Sequence, residues 1–62
     1  MRWIKRQPGR YIADGTKGIY TISSRPVRGR TRYFVKVNGI TIAETSTLAF
    51  AANAADDYEG GK

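Results

Sequence analysis

Sixty-two residues carrying a formal net charge of +6 allow one small domain, which on folding buries only about 60% of the surface its unfolded chain exposes. Cysteine and histidine are both absent, which excludes disulfides, zinc sites built on sulfur or imidazole, and Cys-His or Ser-His-Asp catalysis. The chain has no long apolar run, and Met1-Arg2-Trp3-Ile4-Lys5-Arg6 lacks the apolar stretch of a secretory signal, so no membrane partner is expected and the cytoplasm is the expected compartment.

Ten of the eleven basic residues lie in the first 38 positions beside Asp14 alone, a balance of +9. The last 24 positions hold Glu44, Asp56, Asp57 and Glu59 against Lys62, a balance of −3. Charges spread evenly would serve solubility. Charges gathered in this way suit one surface that meets a polyanion, of which nucleic acid is the commonest.

In chain order, Trp3 reads as a plug packed over one edge of the core. Pro8-Gly9 punctuates the start, and Arg10-Tyr11-Ile12-Ala13 forms a first strand that stops at the turn-forming Asp14-Gly15. Tyr11, and Tyr20 further on, read as core filling. Ile19-Tyr20-Thr21-Ile22-Ser23, rich in β-branched and aromatic residues, forms a second strand.

Ser24-Arg25-Pro26-Val27-Arg28-Gly29-Arg30 reads as a mobile or semi-extended basic hairpin loop able to clamp phosphates or enter a narrow minor groove. Its Arg28-Gly29-Arg30 centre is similar to that of an AT-hook, with Val27 and Thr31 where that motif has prolines.

The strongest local signal is Thr31 to Val37, Asn38-Gly39, Ile40 to Ala43. Asn-Gly between alternating apolar residues calls for a two-residue type I′ turn, since both central positions need positive φ. The register expected from that turn sets Val37 opposite Ile40, Lys36 opposite Thr41, Val35 opposite Ile42, Phe34 opposite Ala43, Tyr33 opposite Glu44 and Arg32 opposite Thr45. Alternation then lines one side with Tyr33, Val35, Val37, Ile40 and Ile42, and the other with Arg32, Phe34, Lys36, Thr41 and Ala43.

From Thr45 the residue types turn helical. Ser46, or Thr45 beside it, supplies an N-cap oxygen, alanines sustain the helix, and Gly60-Gly61 ends it. Leu48, Ala51, Ala52, Ala55 and Tyr58 share a stripe, with Ala54 on its flank and Phe50 at its edge. The helix covers the aliphatic side of the hairpin, because covering Arg32 and Lys36 would strand charges. Asp56, Asp57 and Glu59 oppose the helix dipole and read as a solvated acidic patch, not a metal site.

The expected fold is therefore α+β, a three- to four-stranded antiparallel sheet on one C-terminal helix, with strands about 10–13, 19–23, 31–37 and 40–44 and a helix about 46–59. The bare sheet face, joined by Thr21 and Ser23 if Tyr20 and Ile22 point inward, and the 24–30 loop form the candidate nucleic-acid surface. Its residues are Arg25, Arg28, Arg30, Arg32, Phe34 and Lys36, with Lys5, Arg6 and Arg10 from the N-terminal segment. From Gly18 to Glu59, the order of strand, basic hairpin, strand, Asn-Gly hairpin, strand and helix resembles the three-stranded-sheet-plus-helix DNA-binding module of AP2 domains and of the arm-binding domains of phage integrases. That resemblance implies groove contacts from Arg30, Arg32, Phe34 and Lys36. Size and composition also look like those of small bacteriophage accessory proteins.

The expected partner is duplex DNA, bound by a monomer or by a homodimer paired through its strand edges. The alternative partner is a host enzyme or nuclease with an acidic surface, for which Phe34 ringed by arginines would be the anchor. Double-stranded RNA fits less well, because Thr45, Ser46 and Thr47 stand where a basic helix N-terminus would be needed. No catalytic residue and no cofactor are expected.

Overall fold

A computed structural model of the chain describes residues 2–60. Five strands, β1 (Ile4–Gln7), β2 (Arg10–Asp14), β3 (Ile19–Val27), β4 (Arg30–Val37) and β5 (Ile40–Thr45), precede one helix, α1 (Leu48–Glu59). They form a single antiparallel meander in the order β1-β2-β3-β4-β5. The α+β class and the C-terminal helix agree with the sequence, and the expectation of three to four strands is corrected to five. The strand not expected is β1, whose four residues are all exposed. An edge strand with no buried side chain carries no alternation to read, and its Pro8 boundary suits an edge.

Pairing registers carry side chains in rows across the sheet. On the inner face one row is Lys5, Tyr11, Ile22, Val35 and Ala43, and the next is Ala13, Tyr20, Val37 and Ile40. Tyr20, Ile22, Val35 and Val37 are buried there beneath Ala51 and Ala55 of α1. Alanines at those two helix positions let the backbone of α1 come close to the sheet. Trp3, Tyr11, Tyr33, Ile42, Ala43 and Leu48 pack around this centre, which bears out Trp3, Tyr11 and Tyr20 as core material.

One register and one connection depart from expectation. Asn38 and Gly39 take φ of 51° and 86°, the two-residue turn the sequence calls for, and Val37–Ile40 and Lys36–Thr41 face each other as expected. Beyond them a β-bulge intervenes, so Val35 faces Ala43, Phe34 faces Glu44 and Tyr33 faces Thr45. The extra residue places Ile42 and Ala43 together against the core. Asn38 also ties the turn to β3, its Oδ1 accepting from the Ile19 N–H at 3.0 Å and its own N–H donating to the Ile19 carbonyl at 3.0 Å.

The second departure replaces the expected 24–30 loop with strand. β3 continues to Val27 and β4 starts at Arg30, joined by Arg28 and Gly29 at φ of 53° and 78°. This is again a primed two-residue turn, which matches the right-handed twist of its strands. Pro26 is tolerated because its missing donor points toward the β2 side of β3. There β2 has already ended, its last strand pairing being Arg10 with Ser23.

The N-cap is Thr47 in place of Ser46 or Thr45. Its hydroxyl accepts from the Phe50 N–H at 3.1 Å, while the Thr45 hydroxyl donates to the Thr47 carbonyl at 2.8 Å. Gly60 closes the helix with its N–H on the Asp56 carbonyl at 2.9 Å. Gly61, the second glycine expected to end it, lies outside the described residues.

Glu59 is no part of a solvated patch. Its carboxylate accepts from the Thr16 N–H and hydroxyl at 2.6 and 2.8 Å, from the Tyr20 hydroxyl at 2.8 Å and from the Lys17 N–H at 3.3 Å. It thus clamps the end of α1 to the β2–β3 connection. Gly15 is required beneath this clamp, since a Cβ there would collide with the Tyr20 ring and the Glu59 carboxylate. The bonds to the Thr16 backbone, the Tyr20 hydroxyl and the Thr16 hydroxyl hold the Glu59 carboxyl down at about 2, and burial, then Glu59, pushes Tyr20 up to about 12. Lys17 is drawn to the same corner, its Nζ donating to the Tyr58 carbonyl at 2.7 Å and lying 4.9 Å from the Tyr58 ring centroid.

Candidate nucleic-acid interface

With Tyr20 and Ile22 inward, every other position of β3 and β4 lies on the open face, where α1 does not reach. The rows there are Ile4, Ile12, Thr21, Lys36 and Thr41; then Arg10, Ser23, Phe34 and Glu44; then Arg25 with Arg32; then Val27 with Arg30. Strand alternation therefore brings Arg10, Arg25, Arg30, Arg32 and Lys36 onto one surface. Arg6, in the bulge of β1, joins Arg10 and Lys36 around a trough of about 320 Å³ floored by Ile12, Thr21 and Ser23. Arg2 lines an adjoining recess with Arg6 and Ile12. Even-numbered spacing of Arg2, Ile4 and Arg6 was the signal for it, hidden because β1 was not expected.

Lys5 stands apart from the other candidates. Its row partner is Tyr11, so it borders the inner face. Lys17 is likewise held at the helix end, away from the open face.

The last two open-face rows lie on a two-stranded ribbon. β2 stops alongside Ser23, with one further bond from the Ser24 N–H to the Gly9 carbonyl, and β5 stops alongside Tyr33. From Arg25 to Arg32 the chain overhangs the sheet, with Arg28 at its tip. An AT-hook needs its Arg-Gly-Arg centre extended along a groove floor. Here Arg28 and Gly29 are folded into the left-handed turn, so the ribbon as a unit presents the arginines.

Arg25 and Arg32 face each other directly across this ribbon, and like charges so placed destabilise a strand pair. Each has a neighbour that restrains it. The Arg25 guanidinium sits 5.0 Å from the Phe34 ring centroid, and Arg32 Nε donates to Glu44 Oε2 at 3.0 Å. Phe34 is half-buried as a result, a platform for Arg25 rather than a bare ring. A small hollow of about 210 Å³ lies beside it, among Ser23, Arg25, Lys36 and Thr41.

Chemically the face offers guanidinium and ammonium groups with Thr21, Ser23 and Thr41 hydroxyls between them, donors suited to phosphate oxygens. Asp14 and Glu44 are its acids among the described residues, and Glu44 is engaged by Arg32. No helix among the described residues is long and apolar enough to cross a membrane. Set against protein-family models, curated proteins and solved structures, the chain matches none.

Proposed function

We propose that this protein binds duplex DNA as a small cytoplasmic accessory or regulatory factor of the kind bacteriophages encode, and that it works by binding rather than catalysis. The observation that carries the reading is the overhanging ribbon, where Arg25 faces Arg32 and Arg30 faces Val27 with Arg28 at the turn. Two facing arginines cost stability in the free protein, and a polyanion is the ligand that removes the cost. A major groove about 12 Å wide admits a two-stranded ribbon. With the ribbon in the groove, the trough formed by Arg6, Arg10 and Lys36 lies behind it on the same face, in position for the flanking phosphates.

The experiment is titration of a fluorescent duplex at two salt concentrations. Binding that weakens steeply with salt supports the reading. Replacing Arg28 and Arg30 together is expected to cut affinity, and replacing Asp56 and Asp57 is expected to leave it unchanged. The second reading, a modulator that docks on an acidic protein surface, draws on the same arginines. It has the weaker anchor because Arg25 lies over Phe34, and it would prevail if duplex binding were absent or indifferent to salt.

A further inference from the structure

A five-stranded sheet is about 19 Å wide and a helix with its side chains about 10 Å, so one helix cannot cover it. The backbone of α1 runs close over β3, β4 and β5 and not over β1 or β2. Alongside it a cleft of about 400 Å³ stays open, lined by Trp3, Lys5 and Tyr11 of the sheet side and Leu48, Ala49 and Ala52 of the helix. The polar side-chain groups of the lining residues are the Lys5 ammonium, the Tyr11 hydroxyl and the Trp3 indole N–H, and the rest of their side chains are apolar. The opposite surface of α1 carries its own anomaly. With Ala51 and Ala55 facing the core, Phe50, Asn53 and Asp57 point outward, and Phe50 is 60% exposed in an otherwise alanine-rich segment.

We propose that the cleft is filled by α1 of a second copy of this chain, in a twofold dimer where each helix covers the inner face of β1 and β2 of the other. One chain holds both halves of the contact, which an isologous interface requires. The part of the inner face that α1 leaves bare, about 9 Å of a sheet about 19 Å wide, is close to the width of one helix. Phe50 is an exposed aromatic that Trp3 and Tyr11 can receive, and aromatic anchors of this kind dominate interfaces. Charge also matches, since α1 contains no basic residue, its outer face carries Asp57, and the cleft carries Lys5. Edge pairing is the poorer route to a dimer. β1 is short and bulged and bears Lys5 and Arg6, while β5 is interrupted by its own bulge. Face-to-face docking leaves both basic faces outward, so the dimer stands or falls independently of DNA binding.

The test is sedimentation equilibrium without DNA, from micromolar to submillimolar protein. A reversible shift from monomer to dimer mass is expected, accompanied by a blue shift of Trp3 emission, since Trp3 is the single tryptophan. Phe50→Asp should remain monomeric. Lys5→Glu and Asp57→Lys should each raise the dissociation constant by about tenfold or more. An equimolar mixture of the two should dimerise as the wild type does, because both contacts between unlike chains are again of opposite charge. This recovery also carries the test if Phe50→Asp fails to fold. A wild type that stays monomeric throughout, or charge variants that are folded by circular dichroism and dimerise unchanged, would overturn the proposal. So would a dimer that survives Phe50→Asp and is lost with Thr41→Pro on the β5 edge.

Discussion

Four single substitutions, Arg10→Gln, Lys36→Gln, Lys5→Gln and Lys17→Gln, each remove one positive charge from the same +6 chain and differ only in where that charge lies. Arg10 and Lys36 line the open-face trough, Lys5 borders the inner cleft, and Lys17 is held by the Tyr58 carbonyl. If Arg6, Arg10, Arg25, Arg30 and Lys36 each neutralise one phosphate, the log–log salt slope is about −4.5, and affinity for a duplex falls about 500-fold between 50 and 200 mM salt. Arg10→Gln or Lys36→Gln leaves a slope of about −3.6 and a loss of about 150-fold over the same interval. Lys5→Gln and Lys17→Gln leave the parent slope. Glu44→Gln acts in the opposite sense, because it releases Arg32 from its 3.0 Å partner and moves the slope toward about −5.4. Fluorescence anisotropy with one labelled duplex, titrated at four or more salt concentrations, measures all five variants. Equal slopes for the four charge removals would mean that net charge alone drives binding, and the assignment of the open face would be wrong.

The remaining predictions concern the fold that holds this face. Thr47→Ala removes the cap oxygen on the Phe50 N–H and should cost about 1 kcal/mol in urea unfolding, whereas Ser46→Ala should stay within about 0.5 kcal/mol. Gly29→Ala meets no atom within 4 Å, so its cost is backbone strain at φ of 78°, about 1–2 kcal/mol. Arg28→Gly relieves the same strain at its neighbour, at φ of 53°, and should hold or raise stability in the same assay. The stability contributed by Glu59 is present above its ordinary value of 4.5 and is lost as pH falls through about 2. That of Tyr20 is present below 10.0 and is lost as pH rises through about 12. Melting temperature against pH should therefore decline over both windows, and Glu59→Gln should flatten the acid one. An unchanged acid limb would refute the clamp.

What could be read from the chain follows the range of the interactions involved. Asn38-Gly39 was legible because the turn rule and the alternation of Val35, Val37, Ile40 and Ile42 act within a few residues and agree. The open-face placement of Thr21, Ser23, Arg32, Phe34 and Lys36 then follows from a period of two. The bulge that seats Ala43 opposite Val35 was not legible, since a strict period has no place for an extra residue. Nor was the Glu59 clamp, whose Thr16 partner lies 43 positions away. The segment from Ser24 to Arg30 is a different kind of miss. Pro26 argues against a strand and a non-glycine residue at positive φ argues against a tight turn, yet β3 and β4 run through both. Beside them, Arg25 and Arg32 break the rule against like charges in register. Three local preferences are overridden within eight residues, on the one part of the sheet that no neighbouring strand supports. Sequence rules fail most often where function sets the residue choice, and the arginines, more than the strand propensities, account for the composition of this ribbon.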